Sequence, residues 1–418
     1  MSRQPLRRSG PRCIPLVPCV AASLLFGAAL APVPVIAAAC EPDGLQSSGA
    51  VYRICMPARW NGNLVVFAHG YVGFDQPVAI PEDQLVLPDG TSLPDLVTSI
   101  GFAFAATSYA TNGLAIVDGL ADVVDLVEVF AAGKGTPRRV FLVGPSEGGL
   151  ITALAIERFP HIFSGGLAAC GPIGDFPRQV NYFGDFRVVF DQLFPGVIPG
   201  DPTEVPGDVI ADFEPFYTDR IRTAIAAHPD RTEDLLAVTR ASFDPAEPAT
   251  IEATVLGLAW YNVFATNDAR GKLGGQPFDN RRRIYLGSDN DLMLNLMVRR
   301  FGAEEAAVAA MESGYRTTGR LQVPLVTLHT RGDPIIPYWH ERLYAMKVRD
   351  SGSAALHLNL PIDRYGHCNF RAPEALAAFV LMVLMAAGQE PEGAEAALAD
   401  PGLAAEYRDL VRSWTPAP

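Results

Sequence analysis

Three segments of the chain carry side chain types that could perform nucleophilic chemistry, and the most informative is a G-x-S-x-G pattern. It occupies residues 144–148 (G-P-S-E-G), directly after an apolar run and directly before a helical pattern. A tight turn from a strand into a helix exposes the serine side chain, and the glycines leave room around it. The helix that follows points its first N–H groups and the positive end of its dipole toward that side chain. The pattern therefore predicts that Ser146 is a nucleophile.

Two later segments supply an acid and a base, each just after a predicted strand. Asp333 lies in R-G-D-P, and His367 lies in Y-G-H-C before the last predicted helix. A serine hydroxyl needs a base to accept its proton, and an imidazole base needs an acid to orient it. Asp363 and Asp175 remain alternatives for the acid. His69, in H-G-Y after another strand, is expected to shape its loop rather than act as the base.

The elements that would position these residues alternate between strands and helices. Strands are predicted at 51–56, 64–68, 102–107, 140–143, 165–169, 325–328 and 356–360, and helices at 116–132, 149–158, 339–348 and 373–387. This alternation indicates an α/β fold with a mostly parallel sheet. Between 171 and 322 it stops, and helical spacing recurs only around 224–239, 251–263 and 291–312. We therefore expect a helical insertion, which is too long for a bare loop and typical of a segment that covers a site.

The chain order Ser146, Asp333, His367, with the serine between a strand and a helix, resembles the α/β-hydrolase family of serine esterases and lipases. The resemblance implies the α/β-hydrolase fold, with a helical cap inserted after the strand that follows the nucleophile helix. It implies that Ser146 is the nucleophile, His367 its base and Asp333 the acid. It also implies that the backbone amides of Tyr71 and Glu147 form the oxyanion hole. The Glu147 side chain is expected to face solvent or a neighbour and to have no required role.

The activity implied by this resemblance is hydrolysis of carboxylic esters through an acyl-enzyme, without a metal or organic cofactor. The expected partner is a small-molecule or polymeric ester, either an aryl or acyl ester or a polyester. Aromatic residues are frequent in the insertion, which favours apolar or aromatic groups in the substrate. A serine peptidase or aminopeptidase of the same fold is the first alternative, because esters and amides share the triad chemistry. A non-catalytic binding protein on a hydrolase scaffold is the second. No C-x-x-C or H-x-x-H spacing supports a zinc site.

The N-terminus predicts export. Residues 1–39 contain four arginines and no acid, followed by an apolar run and a small-residue stretch at 37–39, the layout of a cleavable secretory signal peptide. Without those arginines the formal charge of the 418-residue chain falls from −13 to −17, which argues against nucleic acid as a partner. No later apolar run is long enough for stable membrane insertion. We expect a secreted or periplasmic protein with a hydrolase core at 40–170 and 323–418 and a cap at 171–322.

Export would leave four of the six cysteines, namely Cys40, Cys55, Cys170 and Cys368. An oxidising compartment favours disulfides, and four cysteines allow three pairings. Cys40 and Cys55 bracket a short segment and suit a local disulfide, which would leave Cys170 to pair with Cys368. In the α/β-hydrolase fold the loops that hold these last two cysteines lie at the same edge of the sheet, so the resemblance favours this pairing. Two free buried thiols are the alternative.

Overall fold

The computed structural model describes residues 39–389 together with residues 405, 408 and 409, and the predicted signal peptide, apart from Ala39, lies outside them. Within the described residues nine strands form one sheet. They are β1 (Ala39–Cys40), β2 (Gly44–Leu45), β3 (Val51–Met56), β4 (Asn63–Phe67), β5 (Ala103–Thr107), β6 (Arg139–Pro145), β7 (Gly165–Ala169), β8 (Leu325–Gly332) and β9 (His357–Tyr365). The seven predicted strands are β3 to β9, and β6, β8 and β9 extend further than predicted.

The sheet is mostly parallel. Its strand order is β1-β3-β5-β4-β6-β7-β8-β9, with β2 also paired to β3. Every neighbouring pair from β5 to β9 is parallel, whereas β3 runs antiparallel to β5, β1 and β2. Parallel strands bring their carboxyl ends to one edge, where ligands of open α/β sheets bind. This topology is the α/β-hydrolase fold, as predicted from the sequence.

Over residues 39–389, twelve α-helices accompany the sheet, some covering its two faces and others forming the insertion. They are α1 (Leu93–Ser99), α2 (Ile116–Lys134), α3 (Glu147–Arg158), α4 (Phe176–Leu193), α5 (Gly207–Ala211), α6 (Thr218–Ala227), α7 (Pro229–Thr239), α8 (Ala249–Lys272), α9 (Asp291–Met297), α10 (Glu305–Gly314), α11 (Trp339–Asp350) and α12 (Ala372–Ala387). Alternate side chains of a strand point to opposite faces. Leu64 and Val66 accordingly pack with α2 and α3, while Val65 packs with α12. No helix among these is long and apolar enough to cross a bilayer.

Seven of the helices, α4 to α10, lie between β7 and β8 in the sequence. Most buried apolar side chains of α4 to α9 form a cluster of their own, which runs from Tyr182 to Val298, whereas Ala307 and Met311 of α10 pack into the core beside the sheet. The cluster contains two further residues, Ile335 and Ile336, from the loop after β8. The helical insertion is therefore packed directly onto the loop that carries Asp333.

The insertion differs from the prediction in several parts, since α5 was not predicted and the helix expected around 224–239 is divided between α6 and α7. Helix α4 was not predicted, although Asp175 caps it by accepting a hydrogen bond from the Arg178 amide at 3.0 Å and Pro177 lies in its first turn. Its aromatic residues at 176, 183, 186 and 190 recur at helical spacing, so the sequence carried a signal for this helix. The single helix expected around 291–312 is instead α9 and α10, because the backbone becomes extended at Val298.

Two disulfides are present in the described structure. Cys40–Cys55 joins β1 to β3, and Cys170–Cys368 joins the end of β7 to the loop after β9. Cys368 follows His367 directly, so the second disulfide ties the histidine loop to the point where the insertion begins.

Loss of the Cys170–Cys368 disulfide is expected to destabilise the fold more than loss of the Cys40–Cys55 disulfide. The first spans 198 residues of sequence and the second 15, and closing a longer loop removes more entropy from the unfolded chain. Thermal and denaturant unfolding of the two double-alanine variants should show a loss of about 2–5 kcal/mol for each pair, larger for the long-range pair. An equal or smaller loss for that pair would contradict the expectation.

Candidate active site

Ser146 lies on a tight turn between β6 and α3. Its backbone has φ of +55° and ψ of −122°, a conformation that residues other than glycine rarely adopt. A Cβ atom on Gly148 would overlap the carbonyl oxygen of Ala68 at the end of β4, so this position requires glycine. The G-x-S-x-G pattern thus has the strand-turn-helix geometry that presents the serine side chain at the carboxyl edge of the sheet.

Ser146, His367 and Asp333 form one hydrogen-bonded chain. Nε2 of His367 lies 2.8 Å from Oγ of Ser146, and Nδ1 of His367 lies 2.7 Å from Oδ2 of Asp333. The other carboxylate oxygen, Oδ1, accepts the backbone N–H groups of Ile335 at 2.8 Å and Ile336 at 2.9 Å. Four hydrogen bonds therefore hold a serine, a base and an acid in an arrangement that allows proton transfer from the hydroxyl to the imidazole.

The Asp333 carboxyl is completely buried, with 0% of the residue exposed. Burial opposes its negative charge, but the charge and hydrogen bond of His367 and the neighbouring His329 outweigh burial and lower the pKa of Asp333. The carboxyl is therefore ionised at neutral pH and can accept the Nδ1 proton of His367.

The alternative acids and the alternative base lie elsewhere. The side chain of Asp363 is 81% exposed and pairs with Arg331 at 3.3 Å, and Asp175 caps α4. His69 is buried, stacks on Tyr109 with ring centroids 3.8 Å apart, and has Nδ1 2.7 Å from the Gly70 carbonyl oxygen. None of the three hydrogen-bonds to Ser146 or His367 in the described part of the chain.

The loop that carries Tyr71 passes directly beside the serine. A Cβ atom on Gly70 would lie 3.2 Å from the Cβ of Ser146. Gln84 holds this loop, since its Oε1 accepts the Gly70 amide at 2.6 Å and its Nε2 donates to the Tyr71 carbonyl at 3.2 Å. The second predicted donor, Glu147, is the first residue of α3, where an amide has no acceptor within the helix. Sequence reasoning missed Gln84, because its partners are distant along the chain.

The Glu147 side chain points into the protein. Of the two predicted environments, solvent or a neighbouring segment, it has the second. The residue is 6% exposed; its Oε1 accepts the Ala115 amide at 2.9 Å, and its Oε2 has no partner among the described residues. Burial raises the pKa of Glu147 to about 8, although the Ala115 amide and the charge of Lys272 oppose this; the charge of Asp268 adds to the rise. Glu147 is therefore mainly neutral at pH 7.

Replacing Glu147 by glutamine is expected to stabilise the protein increasingly between about pH 5 and pH 8. In that window the unfolded chain ionises Glu147 while the folded chain keeps it protonated, so the wild type loses stability as pH rises. Above about pH 8 the folded group also ionises, and the difference stops growing. Melting temperatures across this range, with the exposed Glu128→Gln as control, measure the effect, and a difference independent of pH would contradict it.

An aromatic cluster lies next to the serine. The Tyr71 ring lies 5.9 Å from that of Trp260 and 5.8 Å from that of Tyr261, and Phe183 stacks on Tyr261 at 5.3 Å. Burial and the charges of Asp333 and Glu147 raise the pKa of Tyr261, while a hydrogen bond to Ser146 opposes the rise. Three of these aromatic residues belong to the insertion, and Tyr261 among them reaches Ser146.

One group of side chains in the described structure has the proximity of a metal site, and it consists of Cys170, His367 and Cys368. Both cysteines are joined in the disulfide, and His367 is hydrogen-bonded to Asp333 and Ser146. Thiolate ligands are therefore not available at this position while the disulfide is intact.

No family model matches the chain, and no curated protein matches it in sequence. Among solved structures it is similar to acylaminoacyl peptidase in complex with Z-Gly-Gly-Phe-chloromethyl ketone (12% identity, TM-score 0.41), with 82% of this chain and 40% of that chain covered. Puromycin hydrolase gives 15% identity and a TM-score of 0.40, with 84% and 39% covered. An esterase of Pyrococcus furiosus gives 11% identity and a TM-score of 0.39, with 78% of this chain and 82% of that chain covered. The match spans about two fifths of the length of the first two structures, and the likeness concerns the fold alone.

Proposed function

We propose that this protein is an exported serine hydrolase that cleaves carboxylic esters through an acyl-enzyme intermediate. The observation that carries the proposal is the hydrogen-bonded chain from Ser146 Oγ through both nitrogens of His367 to the ionised Asp333. It lies beside the Tyr71 loop and the first amide of α3, where an oxyanion would form.

In the proposed mechanism, Ser146 Oγ attacks the ester carbonyl carbon while His367 Nε2 takes the hydroxyl proton. The tetrahedral oxyanion accepts hydrogen bonds from the Tyr71 and Glu147 amides. When the intermediate collapses, His367 returns the proton to the departing alcohol and the acyl group stays on Ser146. Water then attacks the acyl carbon with His367 again as the base, which releases the carboxylic acid and restores the serine. Asp333 orients the Nδ1–H of His367 throughout.

Esters are favoured over amino-terminal peptide substrates by the state of the carboxyl groups of Glu147 and of the insertion. An aminopeptidase needs an anion for the ammonium group of its substrate, and the Glu147 carboxyl beside the serine is mainly neutral at pH 7. Two acids of the insertion, Asp201 and Glu204, are each paired with an arginine at 3.2 Å. The aromatic cluster of Tyr71, Phe183, Trp260 and Tyr261 supports aryl or apolar acyl groups as the substrate class.

Export is supported by the two disulfides, since disulfides persist in secreted and periplasmic compartments. Together with the predicted signal peptide at 1–39, they favour action outside the cytoplasm. We further propose that residues 171–322 act as the cap of the hydrolase core, because their helices supply Tyr261, which interacts with Ser146, and the rings of Phe183 and Trp260 that pack around Tyr261 and Tyr71.

The proposal is tested with protein that lacks residues 1–39, assayed on short-chain and long-chain nitrophenyl esters and on aminoacyl anilides. We expect turnover of the esters and little turnover of the anilides, both abolished in Ser146→Ala. A preference for anilides would favour a peptidase. Turnover of neither class would contradict both enzymes and favour a binding protein on this scaffold.

A further inference from the structure

A second buried histidine, His329 on β8, lies behind the acid of the candidate triad. The residue is 0% exposed. Its Nδ1 lies 3.0 Å from Oε1 of Glu341, and its Nε2 lies 2.8 Å from the Ile336 carbonyl oxygen and 3.5 Å from Oδ2 of Asp333. Because solvent does not reach the ring, these oxygen atoms decide how many protons it carries.

Both ring nitrogens of His329 face oxygen acceptors. A carbonyl oxygen only accepts hydrogen bonds, so Nε2 must carry a proton to bond to Ile336. The proton between Nδ1 and Glu341 resides either on the ring or on the carboxyl group. The second oxygen of Glu341 accepts the Thr327 hydroxyl at 2.6 Å and the side-chain Nδ2 of Asn359 at 2.7 Å, and such bonds stabilise a charged carboxylate. This arrangement places the proton on the ring.

We propose that His329 is a permanent imidazolium cation that neutralises the buried Glu341 and keeps Asp333 ionised and in place for His367. It is a positioning residue, and its role in catalysis rests on the proposed hydrolase function.

The charges of the buried cluster support this role. Asp333 and Glu341 lie on two sides of one imidazole, and without a cation between them burial would favour protonation of one carboxyl. A protonated Asp333 would no longer orient His367 as a base. With the imidazolium present the cluster carries one net negative charge, which becomes zero when His367 takes the serine proton. The cation therefore leaves the cluster with the single negative charge that stabilises the protonated His367 formed during catalysis.

The titratable groups around the ring are consistent with a single cation there. Burial lowers the pKa of His340 well below its usual range, and the charge of His329 adds to this; burial also lowers the pKa of His357, which contacts Thr327. Tyr338 packs edge-on against the ring at 5.6 Å. For His329 itself burial opposes the charge, but the neighbouring carboxylates of Asp333 and Glu341 outweigh burial and raise the pKa of His329 to about 10.

The protonation state can be measured without any substrate. We expect nitrogen-15 NMR of histidine-labelled protein to show one ring, absent from the His329→Gln spectrum, with both nitrogens protonated from pH 6 to about pH 9. A ring nitrogen of His329 without a proton at pH 7.5 would overturn the proposal. Because this readout needs no activity, it decides the state of His329 even if the protein hydrolyses no ester.

The positioning role is measured by a double-mutant cycle on ester hydrolysis, with folding checked by thermal unfolding. We expect His329→Gln to lower kcat by about 100-fold. The substitution leaves Glu341 as an unpaired buried charge, and Asp333 loses the cation that keeps it ionised. The charge-balanced double variant His329→Gln/Glu341→Gln should recover at least about tenfold of that loss. His357→Gln, on the adjacent strand, is the control and should lose little. A double variant as slow as His329→Gln would contradict the role of charge and leave a structural one.

Discussion

Replacement of Ser146 by alanine is expected to lower kcat for ester hydrolysis by at least about 10⁴-fold. The alanine variant lacks the oxygen that attacks the carbonyl carbon and keeps only what the oxyanion donors and substrate binding contribute. Its fold should be unaffected, because the structure already holds a residue with a Cβ atom at this positive φ. The hydrogen bond that is lost involves His367, which is partly exposed to solvent. Steady-state kinetics on a nitrophenyl ester and a melting curve measure both effects.

The matched control for this substitution is Ser99→Ala at the end of α1. The Ser99 side chain is exposed and bonds only to a backbone carbonyl of its own helix. It should retain wild-type activity. If Ser146→Ala retained more than about a tenth of wild-type kcat, another residue would have to be the nucleophile.

Replacement of Asp333 by asparagine is expected to lower kcat by about 10³- to 10⁴-fold. The amides of Ile335 and Ile336 both donate to Oδ1, so the single oxygen of asparagine must take that place. Its NH₂ group would then face Nδ1 of His367 and force that nitrogen to accept. The proton would move to Nε2, which could no longer take the proton of Ser146.

The control is Asp363→Asn, because Asp363 was the sequence alternative and lies exposed beside Arg331. It should leave kcat within about twofold of wild type, and circular dichroism should show that both variants are folded. A larger loss of kcat from Asp363→Asn than from Asp333→Asn would contradict the assignment of Asp333 as the acid.

The strand pattern allowed much of the fold and the three triad candidates to be predicted, because the signals for them lie in short stretches of sequence. Ser146, Asp333 and His367 each follow a strand whose apolar run is visible in the sequence, and parallel strands bring their ends to one edge. The chemistry of these residues is also carried by short patterns, G-P-S-E-G, R-G-D-P and Y-G-H-C.

The supporting residues could not be predicted in this way, because their roles depend on tertiary contacts that no short sequence pattern shows. Gln84 acts on the loop of Gly70, and Glu147 is buried by the segment that holds Ala115. A glutamate at the start of a helix is ordinarily solvated, so burial against that segment has no local signal. The sequence around His329 contains no functional pattern. The residue lies in an apolar strand, where a histidine is expected to be part of the hydrophobic core.

The claim that Ser146 is an activated nucleophile is tested most directly by covalent labelling. A fluorophosphonate probe loses fluoride to an activated serine oxygen and stays bonded to it, so peptide mass spectrometry identifies the reacting residue. We expect one phosphonyl group on the tryptic peptide 140–158, which contains Ser146 as its only serine, with labelling absent in Ser146→Ala and strongly slowed in His367→Ala. Label on another residue, or no label on folded protein, would contradict the proposed mechanism.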